Sequence, residues 1–394
     1  MRYKLFILFS ILIAVFIAVP FTYPRYTEED DVHMLEKYVS IKQNLLSVMT
    51  FNIRFDGIEH DPNNHFKKRV YRLTETIGKW QPAILGVQEP FTGQLLHLQS
   101  HLPNYYQHVG YQHHGTDKNH PSTSSQHDFK VAILYNDQQL KLLEQDYLWL
   151  SKTPRTVGSK DWNSGGARTL NIARFELINT DDSTEILVFN THLDVQSEQA
   201  RQEQAKLIRS IISQWQQKYP TAILLLLGDF NAMPNQTAYQ ILTFSDFLYD
   251  TWIVCKSHQT TCLSNSFSST FHGWFGSLVN TYGIQILQTI LFTFHGTGVK
   301  IPYNIPTNYS AYIDIVKQLL KFCRLLDLSD MISLWSSHRF HVDWILYQNS
   351  KDRSKDLQPQ FISVVDIRSR NYSSDHFPVI ALFKINTQLD TQVF

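Results

Sequence analysis

The run Ala222-Ile223-Leu224-Leu225-Leu226-Leu227, closed by Gly228-Asp229-Phe230-Asn231-Ala232-Met233-Pro234, constrains this chain more than any other stretch. Six consecutive apolar residues with no polar alternation suit a short strand buried on both faces, although periodicity alone does not separate that from a buried helix segment. Gly228 and Pro234 break the run and frame a turn, with Asp229 and Asn231 at its mouth. A carboxylate and an amide at the end of a buried segment are costly without partners. A lone Asp-x-Asn is ordinarily a polar cap on a turn. This one stands out because four other polar groups sit at the ends of similar apolar runs.

Asn52 closes Val48-Met49-Thr50-Phe51, and Glu89 follows Ile84-Leu85-Gly86-Val87-Gln88. His192 follows Ile186-Leu187-Val188-Phe189-Asn190-Thr191, and Ser374-Asp375-His376-Phe377-Pro378 opens Val379-Ile380-Ala381-Leu382-Phe383. In this order the set resembles the endonuclease/exonuclease/phosphatase superfamily of metal-dependent phosphoesterases, over roughly Leu46 to Phe383. Trp149-Leu150-Ser151-Lys152-Thr153-Pro154, the strand after Arg168, and Thr270-Phe271-His272-Gly273 resemble a microbial-type branch of it. The resemblance implies an α/β (α+β) fold: a four-layer sandwich of two mixed β-sheets flanked by helices, polar strand ends meeting at one rim. Composition alone supports only α/β with much sheet.

Hydrolysing a phosphate ester requires neutralising its oxygens, aiming a water in line and helping the leaving oxygen. Hard oxygen ligands suit Mg2+, with Mn2+ as a substitute. Glu89 is the main ligand candidate, because a charge directly after Ile84-Leu85-Gly86-Val87 otherwise lacks a reason. By resemblance, Asn52 supports that metal and Asp375 completes or adjoins its shell. The resemblance further implies that Asp229 would orient the attacking water and take its proton, that Asn231 would donate to the phosphoryl oxygens, and that His192 and His376 would contact the phosphate from opposite sides. By the same resemblance Asp343, in His341-Val342-Asp343-Trp344-Ile345, is expected to pair with His376 and fix its tautomer. Arg168 faces a substrate phosphate or, alternatively, makes a surface salt bridge. Arg54 stands where some relatives carry an acid, which weakens the case for a second metal. The expected activity is a phosphodiesterase or nuclease-type hydrolase acting on nucleic acid, a phospholipid head group or a phosphosugar. The alternatives are a monoesterase for sugar or inositol phosphates, and a non-catalytic anchored binding protein. No protein partner is expected.

Equal numbers of basic and acidic residues, 35 of each, give no net charge and no sign of a general polyanion binder. Arg2 and Lys4 precede the apolar stretch Leu5 to Val19, so residues 1–24 read as a signal-anchor or signal peptide. That implies a single-pass membrane protein with a lumenal or extracellular catalytic domain, or a secreted one if the segment is cleaved. A linker (25–45), a catalytic domain (46–385) and a tail (386–394) follow. Three Asn-x-Ser/Thr triplets, headed by Asn235, Asn308 and Asn371, fit that route, Asn308 being the preferred acceptor. Cys255 and Cys262 are close enough to bridge a local loop, leaving Cys323 over.

Phe66 to Trp80 carries Val70, Leu73 and Ile77 on one helical face, with its basic residues elsewhere. Ser197 to Tyr219 is a second amphipathic helix. Val131 to Tyr135 and Leu140 to Leu143 read as a hairpin around Asn136-Asp137. A long insertion, 274–340, separates the Thr-Phe-His-Gly element from the Asp343 strand. It holds a second copy, Thr293-Phe294-His295-Gly296, and an amphipathic stretch from Tyr312 to Phe322, suited to a small helical subdomain or to contact with a membrane surface.

Overall fold

The computed structural model of the chain describes residues 28–57, 59, 62–110, 131–178, 183–234, 236–265, 269–272, 341–365 and 372–387. The N-terminal apolar segment, the insertion and all three glycosylation triplets' asparagines lie outside them. Among the described residues, no helix is long and apolar enough to cross a membrane.

Seven strands form one mixed sheet: β1 (Leu46–Asn52), β2 (Ile84–Gln88), β3 (Tyr106–Val109), β4 (Val131–Asn136), β10 (Leu263–Ser264), β12 (Lys355–Val364) and β13 (Val379–Thr387). Their spatial order is β10-β12-β13-β1-β2-β4-β3. The second sheet is ordered β5-β6-β7-β8-β11-β9. It contains β5 (Leu140–Trp149), β6 (Thr169–Leu177), β7 (Glu185–His192), β8 (Ile223–Asp229), β9 (Tyr249–Asp250) and β11 (Asp343–Gln348). The helices are α1 (Glu28–Ile41), α2 (Phe66–Trp80), α3 (Thr92–Ser100), α4 (Glu198–Lys218), α5 (Thr237–Thr243) and α6 (Thr251–Ser257).

The leucine run is β8, buried over its whole length. Strand side chains alternate between faces, and here both faces have apolar cover. Leu225 and Leu227 enter the core between the sheets with Val48, Ile84, Val188, Ile345 and Val379. Leu224 and Leu226 point outward, against Ala205, Ile208 and Ile212 of α4. The other sheet does the same, burying Met49, Phe51, Leu85 and Val87 under Val70, Leu73 and Ile77 of α2 and under Leu95 and Leu98 of α3. The result is helix, sheet, sheet, helix, the two mixed sheets lying face to face.

Three local expectations change. β4 and β5 are not a hairpin: β4 pairs with β2 and β3, whereas β5 pairs with β6 in the other sheet. All six residues of β4 are buried and both its edges are taken, so no edge remains for β5. Arg69 is not on the solvent face of α2 but fully buried. Its guanidinium donates to the carbonyls of Asn64, Ile53, Ser373 and Arg54, and burial draws its pKa down to about 10. Within the stretch expected as a linker, α1 docks Met34 and Tyr38 against the α2 side of the molecule, and Tyr38 Oη donates to Trp80 O at 2.6 Å.

Candidate active site

Register brings the polar strand ends together. β1 and β2 run parallel with Asn52 opposite Gln88, so Asn52 and the residue just past the end of β2, Glu89, emerge side by side. β13 runs antiparallel to β1 with Val379 opposite Thr50, which sets Asp375-His376 at the same rim. In the second sheet Asp229 lies opposite His192 on one side and Asp343 on the other. Three turn residues at this rim hold the left-handed conformation: Arg54 (φ 58°), Glu89 (φ 68°) and Asn231 (φ 45°). Such strain persists where surrounding structure enforces it. Gly228, with φ 156°, is a true glycine position, since a Cβ there would lie 2.3 Å from Thr191 O.

A buried polar pin joins the two sheets directly beneath the rim. Gln88 Nε2 donates to Thr50 Oγ1 at 3.0 Å and to Asn190 Oδ1 at 2.8 Å. Asn190 Nδ2 donates to Val87 O and Ala132 O on the facing sheet. Both side chains are fully buried, so every bond made here avoids a desolvation cost. Gly86 leaves the space, for a Cβ on it would meet Asn190 Oδ1 at 2.9 Å. The pin thereby sets the spacing between Glu89 on one sheet and His192 on the other.

Asp229 is the centre. Its Oδ1 accepts from Asn231 N at 2.9 Å and its Oδ2 from Asn52 Nδ2 at 2.9 Å. The Nε2 atoms of His192 and His376 lie 3.5 and 3.7 Å from Oδ2. Burial, and then the neighbouring charge of Asp343, push the Asp229 carboxyl up to about 7. Burial opposes a charged His376 ring, but Asp343 and Asp229 outweigh it and raise the imidazole to about 10. His376 Nδ1 is 2.9 Å from Asp343 Oδ2, so this histidine is a cation between two acids. His192 differs. Burial, helped by the charges of Arg168 and His376, drives its pKa well below 6.5. Asn231 Nδ2 donates to Leu193 O at 3.0 Å and stands 2.8 Å from His192 Nε2, so that nitrogen accepts and the neutral ring carries its proton on Nδ1. Both Asn231 amide protons are thus engaged; donation to a phosphoryl oxygen requires exchanging one of these bonds.

The donors for a hard cation fit at Glu89. Its half-buried carboxylate accepts from Asn52 Nδ2 at 3.1 Å and from Phe55 N at 3.3 Å. Ligand atoms of Glu89, His192 and Asp229 lie within 4.8 Å of one another. Asp229, Asp343 and His376 form a second such group, but its members already bond one another. Asp375 is turned to a protein cation: its Oδ2 is 3.6 Å from Arg54 Nη1 and its Oδ1 accepts from Ser374 Oγ at 3.3 Å. Burial alone would raise the Asp375 carboxyl, yet Arg54, His376, His272 and Arg69 hold it below the usual range. Arg54 Nε also pairs with buried Glu59 at 3.0 Å.

The described part of the first Thr-Phe-His-Gly copy, Thr270-Phe271-His272, stitches this rim. Phe377 N donates to Thr270 O, and His272 N donates to Asp375 O. Thr270 Oγ1 accepts from Val342 N and Asp343 N, fixing the start of β11 against the histidine turn. The Phe271 ring sits 4.9 Å from the His376 ring. The second copy lies outside the described residues. Arg168 stands apart from the central cluster, 3.5 Å from Asp194. Sequence reading passed over Asp194, Gln88 and Asn190; their signal was a polar residue in or beside a strand end already singled out.

A model described as the Endonuclease/Exonuclease/phosphatase family matches residues 49–376. No curated protein matches the chain in sequence. Among solved structures, a mannosyl-6-phosphatase of Bacteroides thetaiotaomicron has 19% identity and a TM-score of 0.60, covering 86% of this chain and 99% of its own. TDP2 of D. rerio, complexed with single strand DNA product, has 15% identity and a TM-score of 0.53, covering 88% and 100%. The human nocturnin catalytic domain with bound sulfate has 16% identity and a TM-score of 0.52, covering 87% and 94%. At these identities the likeness is one of fold.

Proposed function

The chain belongs to the endonuclease/exonuclease/phosphatase family, and from that premise we propose that it is a divalent-metal-dependent phosphodiesterase acting through an in-line activated water. One observation carries the reading. Asp229 Oδ2 faces Asn52, His192 and His376 at 2.9–3.7 Å, with Glu89 beside them, where the two sheets meet. With a carboxyl near 7, Asp229 takes a proton from water close to neutral pH. Oδ1 accepts from Asn231 N and Oδ2 from Asn52 Nδ2; Oδ2, which also faces both histidines, is the receiving atom in this reading. The His376 cation, kept charged by Asp343, meets the phosphate's negative oxygens. His192 and Asn231, already mutual partners, line the opposite side of Asp229. Glu89, steadied by the hydrogen bond from Asn52 Nδ2 and with Asp375 adjoining, is the residue to hold Mg2+ or Mn2+, which would supply Lewis-acid neutralisation of the phosphoryl charge.

Nucleic acid, a phospholipid head group and a phosphosugar diester are the substrate classes to test, with sugar or inositol phosphate monoesters as the second reading. The monoester reading draws on Arg168, an additional cation at the rim suited to an additional phosphate oxygen. A lumenal or extracellular location is proposed with it, supported by the Cys255–Cys262 disulfide, whose Cα atoms are 5.0 Å apart. The test is a screen of the purified chain with magnesium against RNA, DNA, sphingomyelin and phosphosugars, repeated with chelator. Turnover of one class that chelation abolishes is expected; no turnover of any, or turnover indifferent to chelation, refutes the reading.

A further inference from the structure

We propose that Asp194 is a positioning residue that anchors Arg168 as a two-pronged anion-binding arm of the site, an inference that rests on the phosphate-ester reading above. Asp194 is fully buried two residues beyond His192. Its Oδ1 accepts from Gln196 N at 3.0 Å and Ser197 N at 2.8 Å, just ahead of α4. Its Oδ2 accepts from Ser164 Oγ at 2.9 Å, Gly165 N at 3.0 Å and Arg168 Nε at 3.5 Å. Arg201 backs the same turn, donating from Nη1 to the carbonyls of Asp194 and Val195. One carboxylate thus ties together the end of β7, the start of α4 and the loop between β5 and β6. Burial alone would raise its pKa, but Arg168 and these hydrogen bonds hold it below the usual carboxylate range.

The bond to Nε is the informative one. Four donors already satisfy the carboxylate, and a merely structural acid needs no fifth. Fixing a guanidinium by Nε leaves its two Nη groups as a fork, the geometry that grips a carboxylate or phosphate by two parallel bonds. Among the described residues neither Nη has a hydrogen-bond partner, although the side chain is only 13% exposed. Leu170 pairs with Thr191, so Arg168 leaves its strand beside the His192 end of β7. Its charge reaches that ring, helping to keep His192 neutral. A planar cation held at the rim with both prongs unspent beside a neutral histidine matches the oxygens of a phosphate group.

The experiment measures binding of inorganic phosphate to the full chain by titration calorimetry with magnesium present, alongside kcat, KM and melting temperature. Arg168→Ala and Asp194→Asn are each expected to weaken phosphate binding by roughly tenfold or more and to raise KM more than they lower kcat. The double variant is expected to be little worse than either single one, because both act through the same arm. Ser164→Ala removes a bond to the same carboxylate without touching Arg168, and is expected to leave phosphate affinity unchanged. A lowered melting temperature with unchanged phosphate binding in Asp194→Asn, or fully additive losses in the double variant, would overturn the proposal. If Asp194→Asn does not fold, Arg168→Ala decides: unchanged phosphate affinity overturns the proposal, and a loss that Arg168→Lys does not restore upholds the fork. If no phosphate ester is turned over while phosphate binding still depends on Arg168 and Asp194, the hydrolase reading fails and the arm stands.

Discussion

Asp343 Oδ2 accepts a 2.9 Å hydrogen bond from His376 Nδ1, while the opposite ring nitrogen lies 3.7 Å from Asp229. The acid comes from the first residue of β11 and the histidine from the turn before β13, 33 positions later. Replacing Asp343 with Asn keeps the shape and removes the charge. His376, pushed up to about 10, then falls back toward the ordinary 6.5. The expected result is a loss of activity of roughly 10²-fold or more, with the alkaline limb of the pH–rate profile moved to lower pH. The linkage has a definite sign. A histidine whose folded pKa is raised stabilises the fold fully below about pH 6.5, and that stability is lost as pH rises through about 10. The melting-temperature gap between native chain and Asp343→Asn should therefore shrink above neutrality.

The rim was legible because each of its residues ends or begins an apolar run, and a polar group there needs a partner or a purpose. The leucines of β8, the Glu89 turn and the His376 turn carry that signal within a few residues. Pairing across the chain was not legible. β4 and β5 look like a hairpin locally, but which edge each strand finds depends on β2 and β6. Arg69 reads as a solvent-facing helix residue until four carbonyls, from the turn just ahead of its own helix, the loop after β1 and the Ser373 turn, close around it. The Arg54–Asp375 contact joins positions near the two ends of the catalytic region, and nothing local predicts it.

Glu89 offers a test of the metal that does not depend on turnover. If it holds a divalent cation, magnesium should raise the melting temperature of the native chain by mass action, the shift growing with concentration. Glu89→Gln should abolish most of that shift while changing the metal-free melting temperature little, since its carboxylate is half exposed. An unchanged magnesium response in the variant would place the cation elsewhere.

Gly228→Ala tests the turn that presents Asp229. The new methyl would lie 2.3 Å from Thr191 O, and φ 156° is unfavourable for any side chain. The contact is with backbone in a fully buried strand, so no flexible group can give way. A loss of about 2–4 kcal/mol is expected, read as a lower denaturant midpoint with an unchanged slope.

Asp229 is where catalysis and stability should pull apart. Its folded pKa, about 7, lies above the ordinary 3.8 of a free aspartate because burial and Asp343 penalise the carboxylate. The folded state therefore binds this proton more tightly than the unfolded chain does, and stability falls as pH rises from about 4 through about 7. Asn resembles the protonated acid and carries no such penalty. In chelator, Asp229→Asn should melt with the native chain near pH 4 and above it at pH 8, the difference amounting to about 4 kcal/mol at most. Activity should fall by roughly 10³-fold or more, since no group remains on Oδ2's position to take the water's proton. His376→Gln should act on the same group from the other side. Removing the cation that lowers the Asp229 pKa moves the acid limb of the remaining activity to higher pH. An acid limb that stays in place in His376→Gln, or an Asp229→Asn chain no more stable at pH 8 than the native one, would show that Asp229 is an ordinary buried acid and that another group accepts the proton.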